Sequence, residues 1–201
     1  MSIEKGQDWG SPGVIPDDAV VAATDHEASE IVAAARRRND PLPPVVLTGG
    51  DLARTLGGAS PRRAGDEATL VPVDLGAALI DGKLHWFLAH LVARHGWWRG
   101  RIVVAANAAF LGSWNVAPRA HPGDGLLDVL DGELSLRDRL RARRRLPTGT
   151  HVPHPAISVR RRDAFQLEFR RPTPIRLDGE LVGNATKLSL RIEPAAVEVW
   201  I

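Results

Sequence analysis

The sequence predicts an α+β protein, a reduced N-terminal α/β lobe followed by a mainly antiparallel β-sandwich domain with one inserted helix. Three observations predict it. Residues 20–55 alternate short apolar runs with helical patterns, the start of a unit with a parallel sheet. Past Asp66 the apolar residues alternate instead, as half-buried strands do. Two Asp-Gly pairs, Asp81-Gly82 and Asp178-Gly179, each lie between apolar runs and mark hairpins. The expected divisions are a flexible arm over 1–19, an α/β lobe over 20–65 and the sandwich over 66–201.

Each element has its own local warrant. The arm is polar and carries two prolines, Pro12 and Pro16. VVAA (20–23) reads as a short buried strand. Thr24 and Glu27 then form a capping box, T-x-x-E, opening a helix with Ala28, Ile31, Val32 and Ala35 on one face. NDPLPP ends that helix, PVVLTGG (44–50) is a second strand running into glycines, and DLARTLGG is a short helix. TLVPVDLGAALIDGKLHWFL gives the first hairpin, and RIVVAANAAFLGSW (101–114) one or two buried strands. In SLRDRLRARRRLPTG a Ser135-x-x-Asp138 start and Gly149 bound a helix, with Leu136, Leu140 and Leu146 as its apolar anchors. AFQLEF, TPIRL, KLSLRI and VEVWI complete the sheet.

Composition narrows the function classes. The chain has no Cys, so neither a disulfide framework nor a thiolate metal site is available. With no apolar h-region at the start and no bilayer-length apolar run, a cytoplasmic protein is expected. Net charge is +2, but residues 1–90 sum to −5 and residues 91–201 to +7. The second half is therefore suited to an anionic partner. The mix of Trp97, Trp98, Arg99 and Arg101 points to a lipid or anionic membrane surface, with docking peripheral at the membrane. The arginine helix is the other place for anionic lipid to dock. No stacking-aromatic motif accompanies the arginines, so no nucleic-acid partner is expected.

Two stretches carry candidate chemistry. In HPGDGLLDVLDGE (121–133) an acid and two glycines crowd the mouth of a strand. That is either plain turn chemistry or a place where carbonyls and one carboxylate hold a hard cation. In LDGE, an acid follows a hairpin turn, with Asp178 and Glu180 two residues apart.

Together VVAATDHEASEIV, LTGGDLARTLGG, NAAFLGSWNVAPRAHPGDGLLDV and PIRLDGELVG resemble the diacylglycerol kinase catalytic-domain family. These are soluble bacterial lipid kinases that share a fold with NAD kinases. The resemblance implies a magnesium site at Asp124, completed by carbonyls near His121 and Leu126. It implies Glu180 as general base toward a lipid hydroxyl, with Asp178 beside it in the turn. It implies nucleotide binding at Thr48, Gly49, Gly50 and Asp51. The chain departs from the family where a glycine-rich GGDGT loop should cradle the phosphates of ATP. Thr24, Asp25, His26 and Glu27 stand there instead, blocking close approach and repelling the phosphates. A shortened, divergent member with a degenerate ATP site is expected, a lipid-binding or regulatory relative. The alternative is an active ATP:lipid phosphotransferase that completes its nucleotide site across a homodimer.

Overall fold

A computed structural model describes residues 10–58 and 60–201. Its strands are β1 (Ser11–Val14), β2 (Val20–Ala22), β3 (Val45–Leu47), β4 (Glu67–Ile80), β5 (Lys83–Phe87), β6 (His90–Arg94) and β7 (Ile102–Ala106). They continue with β8 (Phe110–Leu111), β9 (Trp114–Asn115), β10 (Leu127–Gly132), β11 (Ile157–Arg162), β12 (Ala164–Leu177) and β13 (Glu180–Trp200). The helices are α1 (Asp25–Arg38), α2 (Gly50–Thr55) and α3 (Leu136–Arg145).

Eleven strands form one sheet with the main order β1-β4-β13-β12-β6-β7-β10-β11, and β8–β9 is a separate small hairpin. β5 adds to β4 through the Asp81-Gly82 turn, and β12 runs into β13 through Asp178-Gly179. Both turns hold positive φ at both positions, the geometry that the right-handed twist of paired strands selects. The sheet curls over its own face. Leu91, Val103 and Leu127 from one limb pack with Ile175, Leu188 and Leu190 from the other in a single apolar core. This is the predicted sandwich. Its inserted helix begins with Ser135 accepting the N–H of Asp138 and is followed by a turn closed by Gly149 in the left-handed region.

The two lobes share strands rather than meeting at a seam. β2 and β3 run parallel on either side of α1, and β3 also pairs in parallel with the end of β13. A second core of Ala28, Val32, Leu47, Leu52, Val73 and Val199 lies beneath α1 and α2.

Three expectations need correction. Of the arm, residues 1–9 lie outside the described residues, but Ser11–Val14 pair antiparallel with β4 and Ile15 is buried. β2 is not a buried strand, because only its Ala22 is enclosed while Val20 and Val21 are exposed. AFQLEF and TPIRL are one strand, as are KLSLRI and VEVWI; the stretches between them, with Pro172 and Pro194, form register shifts within β12 and β13.

Candidate functional site

At both loops expected to meet a nucleotide, main-chain N–H groups are bonded to the chain's own carboxylates, those of Ala23, Asp51 and Leu52. Thr24 caps the helix as expected, but the reciprocal bond from Glu27 goes one residue further back than a capping box requires. Thr24 Oγ1 accepts the Glu27 N–H at 3.1 Å, and Glu27 Oε2 accepts the Ala23 N–H at 2.7 Å. Asp25, between them, turns inward across the βα unit. Its Oδ2 accepts the N–H of Asp51 at 2.6 Å and its Oδ1 that of Leu52 at 3.1 Å. A Cβ on Gly50, which holds φ +97°, would lie 2.5 Å from the Asp25 carboxylate. Glycine at that place therefore fits the acid itself.

The TGGD loop is tied down on its other side. Thr48 bonds Ala22 O through its main-chain N–H at 2.9 Å and its hydroxyl at 3.3 Å. Asp51 Oδ1 accepts the N–H of Gly112 at 2.7 Å, and Thr55 Oγ1 accepts that of Ala109 at 3.0 Å. Gly49 packs its Cα against Ala23 O, with no room for a side chain.

Asp178 of the LDGE turn reaches the same region. Its carboxylate accepts three main-chain N–H groups, from Leu88 at 2.9 Å, Ala89 at 2.8 Å and His90 at 2.9 Å. These knit the β5–β6 corner to the β12–β13 turn. Asn107 braces the corner by donating to Asp74 O and Leu88 O, and buried His90 contacts Ala108 O through Nε2. Burial holds His90 neutral, with a pKa near 4. Burial also raises Asp178, and raises Asp25 to about 7 with Asp178 as the next largest cause. Glu180 lies exposed beyond the turn. So the structure brings Asp25, Asp51 and Asp178 together, while Glu180 faces solvent beside them.

The stretch that opened the cation question is a closed turn. Asp124 Oδ1 accepts the Leu126 N–H at 3.0 Å, and Oδ2 pairs with Arg161, whose Nε also meets Asp128 at 3.1 Å. His121 Nδ1 accepts the N–H of Gly123, and the nearby carbonyl of Pro122 accepts that of Asp74. Sequence reasoning missed Asp74. It is fully buried, with Oδ2 on the Gly125 N–H at 2.6 Å and Oδ1 on the Ala195 N–H at 2.7 Å, anchoring this turn to a kink in β13. Its sequence signal was an acid at an inward position of an apolar strand. Among the described residues no group of three or more His, Asp or Glu is placed to hold a metal ion. Each Asp124 oxygen already has one protein partner, so Mg²⁺ there would have to share that carboxylate with Arg161.

The sheet that builds this site is also what the chain shares with known proteins. Residues 78–201, more than half of the chain, match the model of the YegS C-terminal NAD kinase beta sandwich-like domain. The chain belongs to that family. No curated protein matches its sequence at a significant level. Among solved structures, a diacylglycerol kinase from Bacillus anthracis str. Sterne is 13% identical with TM-score 0.62, over 90% of this chain and 75% of that one. Two more structures from that strain, described provisionally as diacylglycerol kinases, give TM-scores of 0.66 and 0.65 at 13% and 14% identity. Each covers 90% of this chain, and 77% and 76% of the other. The likeness includes the reduced α/β lobe and establishes an NAD kinase-type fold.

The YegS-type sandwich of this chain carries its basic residues unevenly. Of the expected surface group, Trp97 turns in to meet Trp114 edge-on at 5.4 Å, and Arg101 is committed to Asp131 at 2.7 Å and to Glu168 O. Only Trp98 and Arg99 stay exposed, because the segment is an irregular loop and not a strand with alternating faces. α3 departs further from expectation. Arg139 is its buried residue, donating to the carbonyls of Leu134, Trp97 and Gly100, while Leu136 and Leu140 are 59% and 49% exposed. Beneath α3, Trp97, Trp114, Val104, Leu130, Leu146 and Ile157 line an apolar pocket of about 120 Å³.

Proposed function

We propose that this protein is a lipid-binding relative of the lipid kinases in which ATP no longer has a phosphate site. The observation that carries the reading is the Asp25 carboxylate on the N–H groups of Asp51 and Leu52. Main-chain N–H groups in such loops are what cradle phosphates. Here the donors at Ala23, Asp51 and Leu52 are bonded to Glu27 and Asp25. A triphosphate must displace two carboxylates and then sit beside Asp178. Arg161 supplies at Asp124 the positive charge that the family resemblance assigns to magnesium. The similarity to diacylglycerol kinases supports a lipid as ligand, and the apolar pocket under α3 has the character to take part of a chain.

The test is transfer of labelled phosphate from ATP to diacylglycerol in mixed micelles, comparing wild type with Glu180→Ala. Background counts in both are expected. Robust turnover by wild type that vanishes in Glu180→Ala makes Glu180 the base of an active kinase and overturns this reading.

Docking at an anionic bilayer follows from the exposed flank of α3. Leu136 and Leu140 are one turn apart, and the exposed Arg137, Arg141, Arg143, Arg144 and Arg145 flank them. Such a helix lies in the interface with leucines among the acyl chains and arginines at the phosphates. Asp138 is its one acid, held by Ser135. Among the described residues no helix is long and apolar enough to cross a membrane, so binding at the surface is the available mode for the helices. Vesicles containing phosphatidylglycerol should sediment the protein, and Leu136→Asn/Leu140→Asn should weaken this about tenfold at unchanged charge. Equal sedimentation of the double variant rules the flank out.

A further inference from the structure

A second cleft lies on the far side of the Trp97–Trp114 pair, between the β6–β12 strands and the β8–β9 hairpin. Val92 faces Arg176 directly across the strands, so Arg94, two residues on, shares that face as its diagonal neighbour. The hairpin covers them with Leu111, Gly112, Ser113 and Trp114, leaving about 410 Å³. The cleft opens between the two family loops. Gly112 at one edge is bonded to Asp51, and Gly179 of the LDGE turn lies at the other.

Two cations are held close together here without an acid. Arg94 lies over the Trp97 ring at 3.9 Å, and its Nε is buried with no hydrogen-bond partner. Arg176 also lines the cleft and gives one N–H to Gly179 O at 3.0 Å. Among the described residues no carboxylate lines the space. Burial and the like charge of Arg176 both act against the charged form of Arg94. Elsewhere Arg101 pairs with Asp131, Arg161 pairs with Asp124 and Asp128, and buried Arg139 gives its N–H groups to three carbonyls. An unpaired couple in a cleft costs stability until an anion enters it.

We propose that this cleft binds the phosphate group of an anionic lipid, gripped between Arg94 and Arg176, with the adjoining carbons against Trp97, Trp114 and Leu111. Guanidinium groups suit a phosphate because their paired N–H groups match its oxygens. The aromatic and aliphatic walls favour a lipid headgroup over free phosphate, which shares the anion chemistry and gains nothing from them. The lipid rests on the function proposed above; the anion site does not.

Trp97 and Trp114 give an intrinsic fluorescence readout. Wild type, Arg94→Met and Arg176→Met are titrated with dihexanoyl phosphatidic acid, dihexanoylglycerol and inorganic phosphate, each lipid below its micelle concentration. The expected result is saturable binding of phosphatidic acid, weakened at least about tenfold in either variant, with the uncharged lipid far weaker. Ligand-free Arg176→Met should melt no lower than wild type, since losing one of two like charges relieves repulsion. A purely structural arginine would give a lower melting temperature instead. Phosphate binding as tightly as phosphatidic acid, with the same arginine dependence, keeps the anion site and assigns it to the free ion. No binding by any ligand, or phosphatidic acid affinity unchanged in both variants, overturns the proposal. Kinase turnover by wild type would defeat the proposed function yet leave this arginine dependence standing.

Discussion

Asp178→Ala should lower the unfolding free energy by about 3–5 kcal/mol, because three buried N–H donors then lose their acceptor. The donors belong to Leu88, Ala89 and His90, and all three residues are fully enclosed, so water cannot easily replace the carboxylate. Alanine also tolerates φ +46° less well than aspartate does. Such a loss is a large share of the ~5–15 kcal/mol that holds a typical domain folded. Asp178→Asn keeps one acceptor oxygen and should cost less than half as much. Urea unfolding with unchanged slope reads the difference directly. A loss under about 1 kcal/mol for Asp178→Ala would show that the β5–β6 corner does not depend on this acid.

Asp25→Asn should change the pH dependence of stability. Burial, then the charge of Asp178, raises the folded pKa of Asp25 from 3.8 to about 7. A carboxyl raised in this way favours the folded state while it is protonated. Its contribution is complete below 3.8 and is lost as pH rises through about 7. The size is on the order of 2–4 kcal/mol across that window. Asparagine cannot ionise, and with one oxygen it satisfies only one of the two N–H groups. The variant should therefore be less stable than wild type near pH 4 and should close or reverse the gap by pH 8. Thermal or urea unfolding at half-unit steps from pH 4 to 8 follows it. A gap that stays constant over the range would mean that Asp25 titrates as an ordinary exposed acid.

Most of the fold was legible in the sequence because its signals are local. The two Asp-Gly turns, the Thr24 cap and the Ser135 cap each act within a few residues, and each formed as read. What failed depends on contacts distant in sequence. AFQLEF and TPIRL, and KLSLRI and VEVWI, read as separate segments, but their neighbours across the sheet hold each pair continuous around a bulge at Pro172 or Pro194. Ser11–Val14 looks like an arm until β4 supplies its partner. The leucines of α3 resembled core anchors, and only the three carbonyls around Arg139 explain why an arginine is buried in their place.

The candidate site was legible as a set of motifs but not as a circuit. Replacement of the glycines by Thr24, Asp25, His26 and Glu27 announced trouble for a phosphate, and the Thr24 cap matched expectation, while Glu27 reaches Ala23 instead of Thr24. That Asp25 reaches the N–H groups of Asp51 and Leu52, 26 and 27 residues away, has no sequence signature. The same is true of Arg161 at Asp124, which meets it from the next strand over, 37 residues on. Arg94 and Arg176 carry no motif at all; only the pairing of β6 with β12 sets them on one face.

The N–H groups of Ala23, Asp51 and Leu52 are held by the chain's own acids, and isothermal titration with ATP reads whether a triphosphate can displace them. Wild type is titrated with Mg²⁺ alone, with ATP alone and with both, and its melting temperature is followed in parallel. No heat of binding and no rise in melting temperature are expected for any of the three at millimolar ligand. Ligand bound only to the native state must stabilise it, so a silent melting curve excludes tight binding. Saturable MgATP binding at micromolar concentration, with a rise in melting temperature that needs both Mg²⁺ and ATP, would contradict the account and place this chain among nucleotide-using kinases.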